Sequence, residues 1–246
     1  MKPARAKQRF YLLCFLPDLK GFGSPPPIGK QDLLAVVTES EGPAEVVQAL
    51  LLSDDLLQRE SVLAGETEPE HADPAVLSFA QPESETTLPD FLTSEPEYGN
   101  GHLSGSIAAD PIWRKYFLHT SEIAGLTHSH FLQAWVGFEV GLRNALVKGR
   151  AAALELDPEP YMVLQDLGDP EIVFTDILAE WSAASNPAEA LEALDRARWK
   201  WLSENEPWYS FSDDEVAAYT AKLMILQRWQ RIAGGERQRQ MPGGLS

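Results

Sequence analysis

The strongest constraint on the fold is a helical pattern of apolar residues in the middle of the chain. Between residues 127 and 155, large apolar side chains recur every three or four positions, at Phe131, Trp135, Phe138, Leu142 and Leu146. Because an α-helix turns once every 3.6 residues, these side chains line one face of a helix. The pattern therefore predicts a long helix over residues 127–155 whose apolar face is buried against other elements.

Similar spacing predicts further helices on both sides of this one, over residues 31–37, 43–52, 112–119 and 172–181. The pair Asn186-Pro187 is typical of a helix start, since asparagine caps the free amides and proline is tolerated in the first turn. The run Ser212-Asp213-Asp214-Glu215 is a capping box and predicts a last helix that extends to about Ile232, before Gly234-Gly235. No strand alternation follows residue 110. We expect a C-terminal helical bundle over 109–233 and a flexible tail over 234–246.

The N-terminal segment, residues 1–64, is harder to assign. Its apolar run, residues 10–19, fits either a short strand or the first turn of a buried helix, because a short run does not distinguish the two. The helices predicted after it are short and have apolar stripes. We expect this segment to pack on the C-terminal bundle.

The negative charge of the chain is concentrated in one region. Residues 39–97 contain fifteen Asp or Glu and a single basic residue, Arg59, which accounts for −14 of the net charge of −17. Five prolines interrupt its second half, at positions 69, 74, 82, 89 and 96, and proline at this density stops helices. The sequence therefore predicts a mainly α fold, a helical bundle with a long acidic, Pro-rich irregular insertion over residues 65–108. The insertion is expected to be a solvated segment; the alternative is an acidic arm for a basic partner.

Charge and cysteine content limit the possible partners and compartments. The net charge of −17 argues against nucleic acid and against an anionic membrane surface, both of which require Lys and Arg. No apolar run approaches the ~20 residues of a membrane span, so direct membrane insertion is not expected. Cys14 is the only cysteine, which favours a reducing compartment. The run Phe10–Leu16 resembles a signal peptide but is short and is followed by Pro17-Asp18; a cytoplasmic location is predicted.

Motifs for catalysis, cofactors and metals are missing from the sequence. There is no phosphate-binding loop, dinucleotide-binding glycine pattern or nucleophile elbow. Cys14 is expected to be buried in its apolar run and unreactive. His119, His128 and His130 lie close together, but residues two apart on a helix point to different sides. The sequence therefore predicts no catalytic, cofactor-binding or metal-binding residues.

Several polar and aromatic residues are candidates for partner binding. Glu139 and Arg143 have the spacing of a helix ion pair, and either this pair or a partner-binding patch explains them. Exposed tryptophan beside arginine is typical of interface hot spots, although core packing also explains such residues. The aromatic residues Trp208, Tyr209 and Phe211 are expected to pack over the end of the bundle; the alternative is that they extend such a patch. The partner-binding candidates are Glu139, Arg143, Asn144, Arg150, Arg198, Trp199 and Trp201.

Three segments together resemble a family of uncharacterised bacterial proteins encoded beside V-type (A-type-like) ATPase subunits. The first is residues 10–19, the second contains Trp135-x-x-Phe138 and Leu142-Arg143-Asn144, and the third is Arg198-Trp199-x-Trp201 followed by Trp208-Tyr209-x-Phe211. The resemblance covers the first twenty residues and most of 111–232. The acidic stretch departs from the family, as does Phe15, which stands where a small residue is expected. The family is also faintly similar to the all-helical V-type ATPase component that couples the central stalk to the membrane ring.

This resemblance implies a non-catalytic accessory or stalk-associated protein of a bacterial V-type ion-translocating ATPase. V-type ATPase subunits would be its partners, and it would be cytoplasmic and peripheral to the inner membrane through the ATPase. Two alternatives stay open. One is a free-standing helical adaptor whose acidic arm binds a basic partner, and the other is a small helical enzyme with a polar pocket around Glu139, Arg143 and His128.

Overall fold

The apolar stripes of the predicted helices meet in a helical bundle. The computed structural model describes residues 3–79, 88–93 and 109–240, and within these ranges it contains nine α-helices, three short 3-10 helices and no strand. The prediction of a mainly α fold is confirmed. The helices are α1 (Pro3–Phe15), α2 (Lys30–Glu39), α3 (Ala44–Leu63), α4 (Asp90–Thr93), α5 (Ala109–Thr127), α6 (His130–Ala153), α7 (Thr175–Ala183), α8 (Pro187–Asn205) and α9 (Asp213–Gln240).

Local signals explain where the central helices begin. At the start of α6, the side chain of Ser129 accepts a hydrogen bond from the amide of Leu132, and His128 before it has a φ of 55°. The left-handed backbone of His128 therefore ends α5, and the Ser129 cap begins α6. Asn186 caps α8 by accepting from the amide of Glu189, as its sequence signal indicates.

Three helices, α3, α5 and α9, are much longer than predicted. The helix expected over residues 112–119 extends over Ala109–Thr127 as α5. The run expected to end at Leu52 continues as α3 to Leu63, because charged partners neutralise the two aspartates that follow. The prediction that Gly234-Gly235 ends the last helix was wrong, since α9 continues to Gln240. Each glycine destabilises a helix by only about 1 kcal/mol, so a helix already formed before Gly234 can continue through both glycines.

The main apolar core lies where α3, α6 and α9 pack together. Fully buried leucines from α3, Phe138 and Leu142 from α6, and Leu223 and Leu226 from α9 form its centre. Leu12 of α1 and Leu33 of α2 are buried in the same cluster. The N-terminal segment therefore packs on the C-terminal helices around one core.

Parts of the predicted insertion belong to a second apolar cluster. Leu77, Leu88 and Leu92 are buried against Trp113 and Tyr116 of α5. The expectation of a solvated segment is wrong for Leu77, Leu88 and Leu92, because these leucines cover an apolar face of α5 that would otherwise face water. Two stretches of the predicted insertion, residues 80–87 and 94–108, lie outside the described residues.

The carboxylate of Asp55 fixes the first part of this segment to α3. It accepts hydrogen bonds from the backbone amides of Ala75, Val76 and Leu77 at 2.6–3.0 Å. Burial raises the pKa of Asp55, whereas Lys30 and these three amides oppose that rise. Because an irregular chain has no helical partners for its amides, the buried aspartate takes their place.

Candidate functional site

Glu139 of α6 and Arg198 of α8 form a bidentate ion pair between their helices. Arg198 Nε donates to Glu139 Oε1 at 2.7 Å, and Nη2 donates to Oε2 at 3.1 Å. Both side chains are less than one fifth exposed. Although burial alone lowers the pKa of Arg198, the carboxylates of Glu139 and Asp195 raise it further above its ordinary range. Arg198 is therefore a permanent cation fixed inside the bundle.

Asp195 is the acceptor at the centre of this group. Its carboxylate is fully buried and accepts from Arg198 Nη1 at 2.9 Å, from Arg228 Nη1 at 2.9 and 3.2 Å, and from Trp229 Nε1 at 3.1 Å. A buried carboxylate is stable only when donors of this kind replace its water shell. Asp195 thus links α8 to two residues of α9.

A second charged group lies between α2, α3 and α9. The ammonium of Lys30 is fully buried and donates to Asp54 Oδ2 at 2.6 Å, and Arg231 Nη2 donates to Asp54 Oδ1 at 2.8 Å. Burial raises the pKa of the Asp54 carboxyl, but Arg231, Lys30 and Arg228 outweigh it and hold that pKa below its ordinary value. Arg228 Nε is 3.9 Å from Asp54 Oδ1. Because Arg228 also donates to Asp195, it belongs to both charged groups and connects them.

A cavity of about 140 Å³ lies beside the Glu139–Arg198 pair. Trp113, Tyr116, Trp135 and Met224 are among its apolar walls, and the side chains of Glu139, Arg143, Arg198 and Arg228 line it too. His128 is not among these residues. It is eleven residues before Glu139, which corresponds to roughly 16 Å along a helix axis. The pocket expected for a small enzyme therefore contains Glu139 and Arg143 but not His128.

The other predicted polar residues have internal contacts. Asn144 is buried, donates to the carbonyl of Val163 at 2.7 Å and accepts from the amide of Val163 at 2.9 Å. The guanidinium of Arg143 lies 5.3 Å from the ring of Trp113, and that of Arg150 lies 5.4 Å from the ring of Trp181. Asn144 thus holds the connection between α6 and α7. Partner binding by these residues stays a prediction.

The two tryptophans of the third segment face different neighbours. Trp201 packs against Phe131, Trp135 and Phe138 of α6, with ring centroids 5.1–6.1 Å apart. Trp199 is partly buried and lies 6.1 Å from Phe22, with the Lys222 ammonium 5.5 Å from its ring. Arg198 and Trp201 therefore bind α8 to α6, and neither residue forms an exposed patch.

The loop after α8 presents two aromatic side chains to solvent. Trp208 is 64% exposed and Tyr209 is 79% exposed, so the prediction that they pack over the bundle end was wrong. The Glu215 side chain accepts from the amides of Tyr209 and Phe211, and both of these residues have positive φ. Positive φ is costly for bulky residues and persists where surrounding contacts hold it. The loop is therefore fixed in a shape that leaves Trp208 and Tyr209 outside the core.

Helix α1 lies next to this loop and is also aromatic on its outer side. Phe10 packs on Phe211 with ring centroids 5.1 Å apart, while Tyr11 is 60% and Phe15 70% exposed. The Tyr219 hydroxyl donates to the carbonyl of Pro17 at 2.8 Å and fixes the chain after α1. We call the exposed side chains of α1 and the loop the aromatic surface; it consists of Phe10, Tyr11, Phe15, Trp208 and Tyr209.

The three histidines lie in α5 and around the start of α6, and the cysteine lies in α1. His119 stacks on Phe91 at 3.7 Å, and His128 and His130 are exposed at the start of α6. Among the described residues, no three His, Cys, Asp or Glu side chains are placed to hold a metal ion. The expectation that Cys14 is buried was wrong, because it lies on the exposed side of α1.

Reasoning from sequence missed the residues that hold the charged groups, namely Lys30, Asp54, Asp55, Asp195, Arg228 and Arg231. One signal was available. Asp54 and Asp55 interrupt the apolar residues of α3, and two aspartates inside an apolar stripe indicate buried cations opposite them. The cations that face them come from positions 24 to 177 residues away, which helical spacing cannot identify.

No helix in the described ranges is both long enough and apolar enough to cross a membrane. Comparison with protein-family models, with curated proteins and with solved structures gives no match for this chain.

Proposed function

We propose that this protein is a non-catalytic accessory or stalk-associated protein of a bacterial V-type ion-translocating ATPase. One observation carries the proposal: two of the three segments that resemble the ATPase-linked family meet at the aromatic surface. Residues 10–19 include the second half of α1, and Trp208-Tyr209-x-Phe211 supplies the adjacent loop, with Phe10 on Phe211. Exposed, fixed aromatic side chains are the usual anchors of protein–protein contacts.

The second segment of the resemblance contains polar residues, and their contacts support a structural role for them. Glu139 binds Arg198 through both carboxylate oxygens, and Asn144 binds both polar groups of the Val163 backbone. Groups engaged in this way stabilise helix packing and hold the aromatic surface on a rigid bundle. The protein would act on the cytoplasmic side, peripheral to the inner membrane through the ATPase.

The proposal is tested by co-purification. The full chain with a C-terminal affinity tag is expressed in a host that carries V-type ATPase genes, and the bound proteins are identified by mass spectrometry. We expect soluble-sector ATPase subunits with the unaltered chain, and less than about one tenth of that amount when Trp208 and Tyr209 are both replaced by Ala, because hot-spot residues dominate such contacts.

The control is Val173→Ala, which removes an apolar side chain that is 78% exposed outside the aromatic surface. It should leave co-purification unchanged. The isolated chain should also fail to hydrolyse ATP. Recovery of the chain without any ATPase subunit would reject the proposal, and equal recovery with the doubly substituted loop would reject the aromatic surface as the contact.

The alternative of a small helical enzyme rests on the cavity beside Glu139. Its volume of about 140 Å³ accommodates only a molecule about the size of benzene. The adaptor alternative depends on an acidic arm of which residues 80–87 and 94–108 lie outside the described residues. Neither alternative uses the aromatic surface, so loss of co-purification on replacing Trp208 and Tyr209 separates both of them from the ATPase proposal.

A further inference from the structure

A groove of about 500 Å³ runs between α1 and the end of α2. Tyr11, Leu12 and Phe15 form its apolar side, and Glu39 and Glu41 form its opposite rim. The groove is continuous with the aromatic surface because Tyr11 and Phe15 belong to both. Its combination of an apolar floor and an acidic rim restricts what can bind there.

The apolar side of the groove is unusual for a helix that is anchored on its other face. Arg9, Leu12 and Leu16 are buried, at a spacing of three and four residues, so they mark the inner face of α1. Tyr11 and Phe15 lie one turn apart on the outer side and are 60% and 70% exposed. Two large aromatic side chains in register on an exposed helix face are typical of a docking site for another helix.

The walls of the groove are fixed to each other. Arg9 Nη1 donates to the carbonyl of Glu41 at 2.9 Å, and Gln8 Nε2 donates to Glu41 Oε2 at 3.2 Å. Arg9 also pairs with Asp213 at the start of α9. Because α1 is tied to both the α2–α3 connection and α9, a ligand would meet a preformed groove and would order little of the chain on binding.

The charges identify the kind of occupant. Glu39 and Glu41 are exposed carboxylates on the rim, whereas the Lys7 ammonium lies 5.8 Å from the Tyr11 ring on the opposite, apolar side. The whole chain has a net charge of −17. Lysine or arginine flanking the apolar face of a partner helix would complement this rim. A second copy of the chain is disfavoured because two bodies of this charge repel each other.

We propose that this groove binds a basic amphipathic helix of a partner protein. Its apolar face covers Tyr11 and Phe15, and its Lys or Arg side chains face Glu39 and Glu41. The groove runs along residues 8–15 of α1, about 12 Å of helix axis, which corresponds to about two turns of a partner helix. The inference rests on the proposed function, in which that helix belongs to one of the ATPase subunits.

Binding is measured with synthetic probes by fluorescence anisotropy on the full chain. The probe is a labelled helical peptide of about 18 residues in which leucines occupy one face and lysines the other. A second peptide has the same composition in scrambled order, and a third has glutamate in place of lysine. We expect the first peptide to bind at least about tenfold more tightly than either of the others, and more weakly as salt is raised.

Two variants locate the binding. Phe15→Ala should weaken the leucine–lysine peptide by about tenfold or more, because an exposed aromatic anchor is lost without change to the core. Glu39→Gln combined with Glu41→Gln should weaken it and reduce its salt dependence. The matched controls are Val173→Ala for the exposed apolar side chain and Glu171→Gln with Glu180→Gln for the exposed acidic pair. Both controls should bind as the unaltered chain does.

Equal binding of the scrambled peptide, or binding that survives Phe15→Ala, would overturn the inference, since attraction to an acidic surface would then explain the data. Circular dichroism and the urea midpoint establish that each variant is folded. The peptides contain no ATPase sequence. A positive peptide result with failed co-purification would therefore reject the ATPase proposal and keep the groove, and the opposite pair of results would reject the groove alone.

Discussion

At the scale of single residues, this protein is notable for the charges inside its bundle. Lys30, Asp54 and Asp195 have essentially no solvent exposure, and each is matched by an opposite charge from another helix. Removing one partner of a buried ion pair lowers the free energy of unfolding by much more than the pair itself contributes. The remaining charge is then left without water or a counter-ion. Substitutions at these positions should therefore have large effects on stability.

Replacing Asp195 by Asn should lower the free energy of unfolding by about 3–5 kcal/mol, since Arg198 and Arg228 lose their shared carboxylate inside the protein. Urea denaturation measures the loss. Glu204→Gln on the exposed side of the same helix is the control and should change the free energy by about 0.5 kcal/mol or less. A loss below about 1 kcal/mol for the Asp195 variant would mean that water compensates the two arginines.

The stability contributed by Asp54 should depend on pH in one direction. Its pKa is lowered in the folded protein relative to the ordinary value of 3.8, so folded Asp54 holds its proton less tightly than unfolded Asp54. Its contribution is fully present well above pH 3.8 and is lost as the pH falls through the lower folded pKa. The difference in free energy of unfolding between the unaltered chain and Asp54→Asn should therefore be constant from about pH 7 to pH 5 and shrink towards pH 3. A difference that grows on acidification would contradict the lowered pKa.

At the scale of elements, α6 and α8 are joined by both apolar and charged contacts. Trp201 stacks into the aromatic group of α6, and the Arg198–Glu139 pair lies one turn before it on α8. Trp199 and Trp208 face Lys222 of α9 instead. Trp199 also packs on the main core, so Trp199 and Trp201 hold the bundle, whereas the largely exposed Trp208 is left for other contacts.

This division predicts opposite results for two Trp→Ala substitutions. Trp201→Ala should reduce the free energy of unfolding by about 3 kcal/mol or more, because a large side chain packed on three aromatic rings is removed. Trp208→Ala should change it by about 0.5 kcal/mol or less, since that side chain is mostly in water. Thermal or urea unfolding compares the two. Similar losses for both would place Trp208 in the core and weaken the case for the aromatic surface.

At the scale of the whole molecule, the net charge of −17 means that the acidic side chains repel one another, and the internal ion pairs do not remove this repulsion. The internal pairs are shielded from the solvent by the bundle, whereas most of the acidic excess is on the surface. Salt screens exposed charges over about 10 Å at 0.1 M and screens buried pairs much less. The two kinds of electrostatic effect should therefore respond differently to ionic strength.

Raising the sodium chloride concentration from about 0.02 to 0.5 M should increase the urea midpoint, because screening relieves the repulsion while the Lys30–Asp54 and Arg228–Asp195 pairs persist. The Asp195→Asn variant is the control. Its urea midpoint should increase with salt by a similar amount, since the substituted side chain is buried and the surface charge is unchanged. A midpoint that decreases with salt would mean that exposed ion pairs outweigh the net repulsion.

Local sequence signals were enough to establish the helical class and the positions of most helices. Periodic apolar residues, the Asn186-Pro187 cap and the absence of strand alternation after residue 110 are local features, and local features decide whether a segment is helical. They failed at boundaries that depend on distant partners. Helix α3 continues past Leu52 with two buried aspartates because Lys30, Arg231 and residues 75–77 meet them there.

The candidate sites depend instead on contacts between elements that are far apart in the chain. Helical periodicity placed Trp199, Trp201 and Arg198 on one helix but could not assign their neighbours, because those come from α6, α9 and the loop after α1. It gave no reason to expect Tyr11, Phe15, Trp208 and Tyr209 in solvent, since an apolar side chain is normally buried when some surface is available to cover it. In this bundle the cores are filled by other residues, and the aromatic side chains of α1 and the loop are left at the surface.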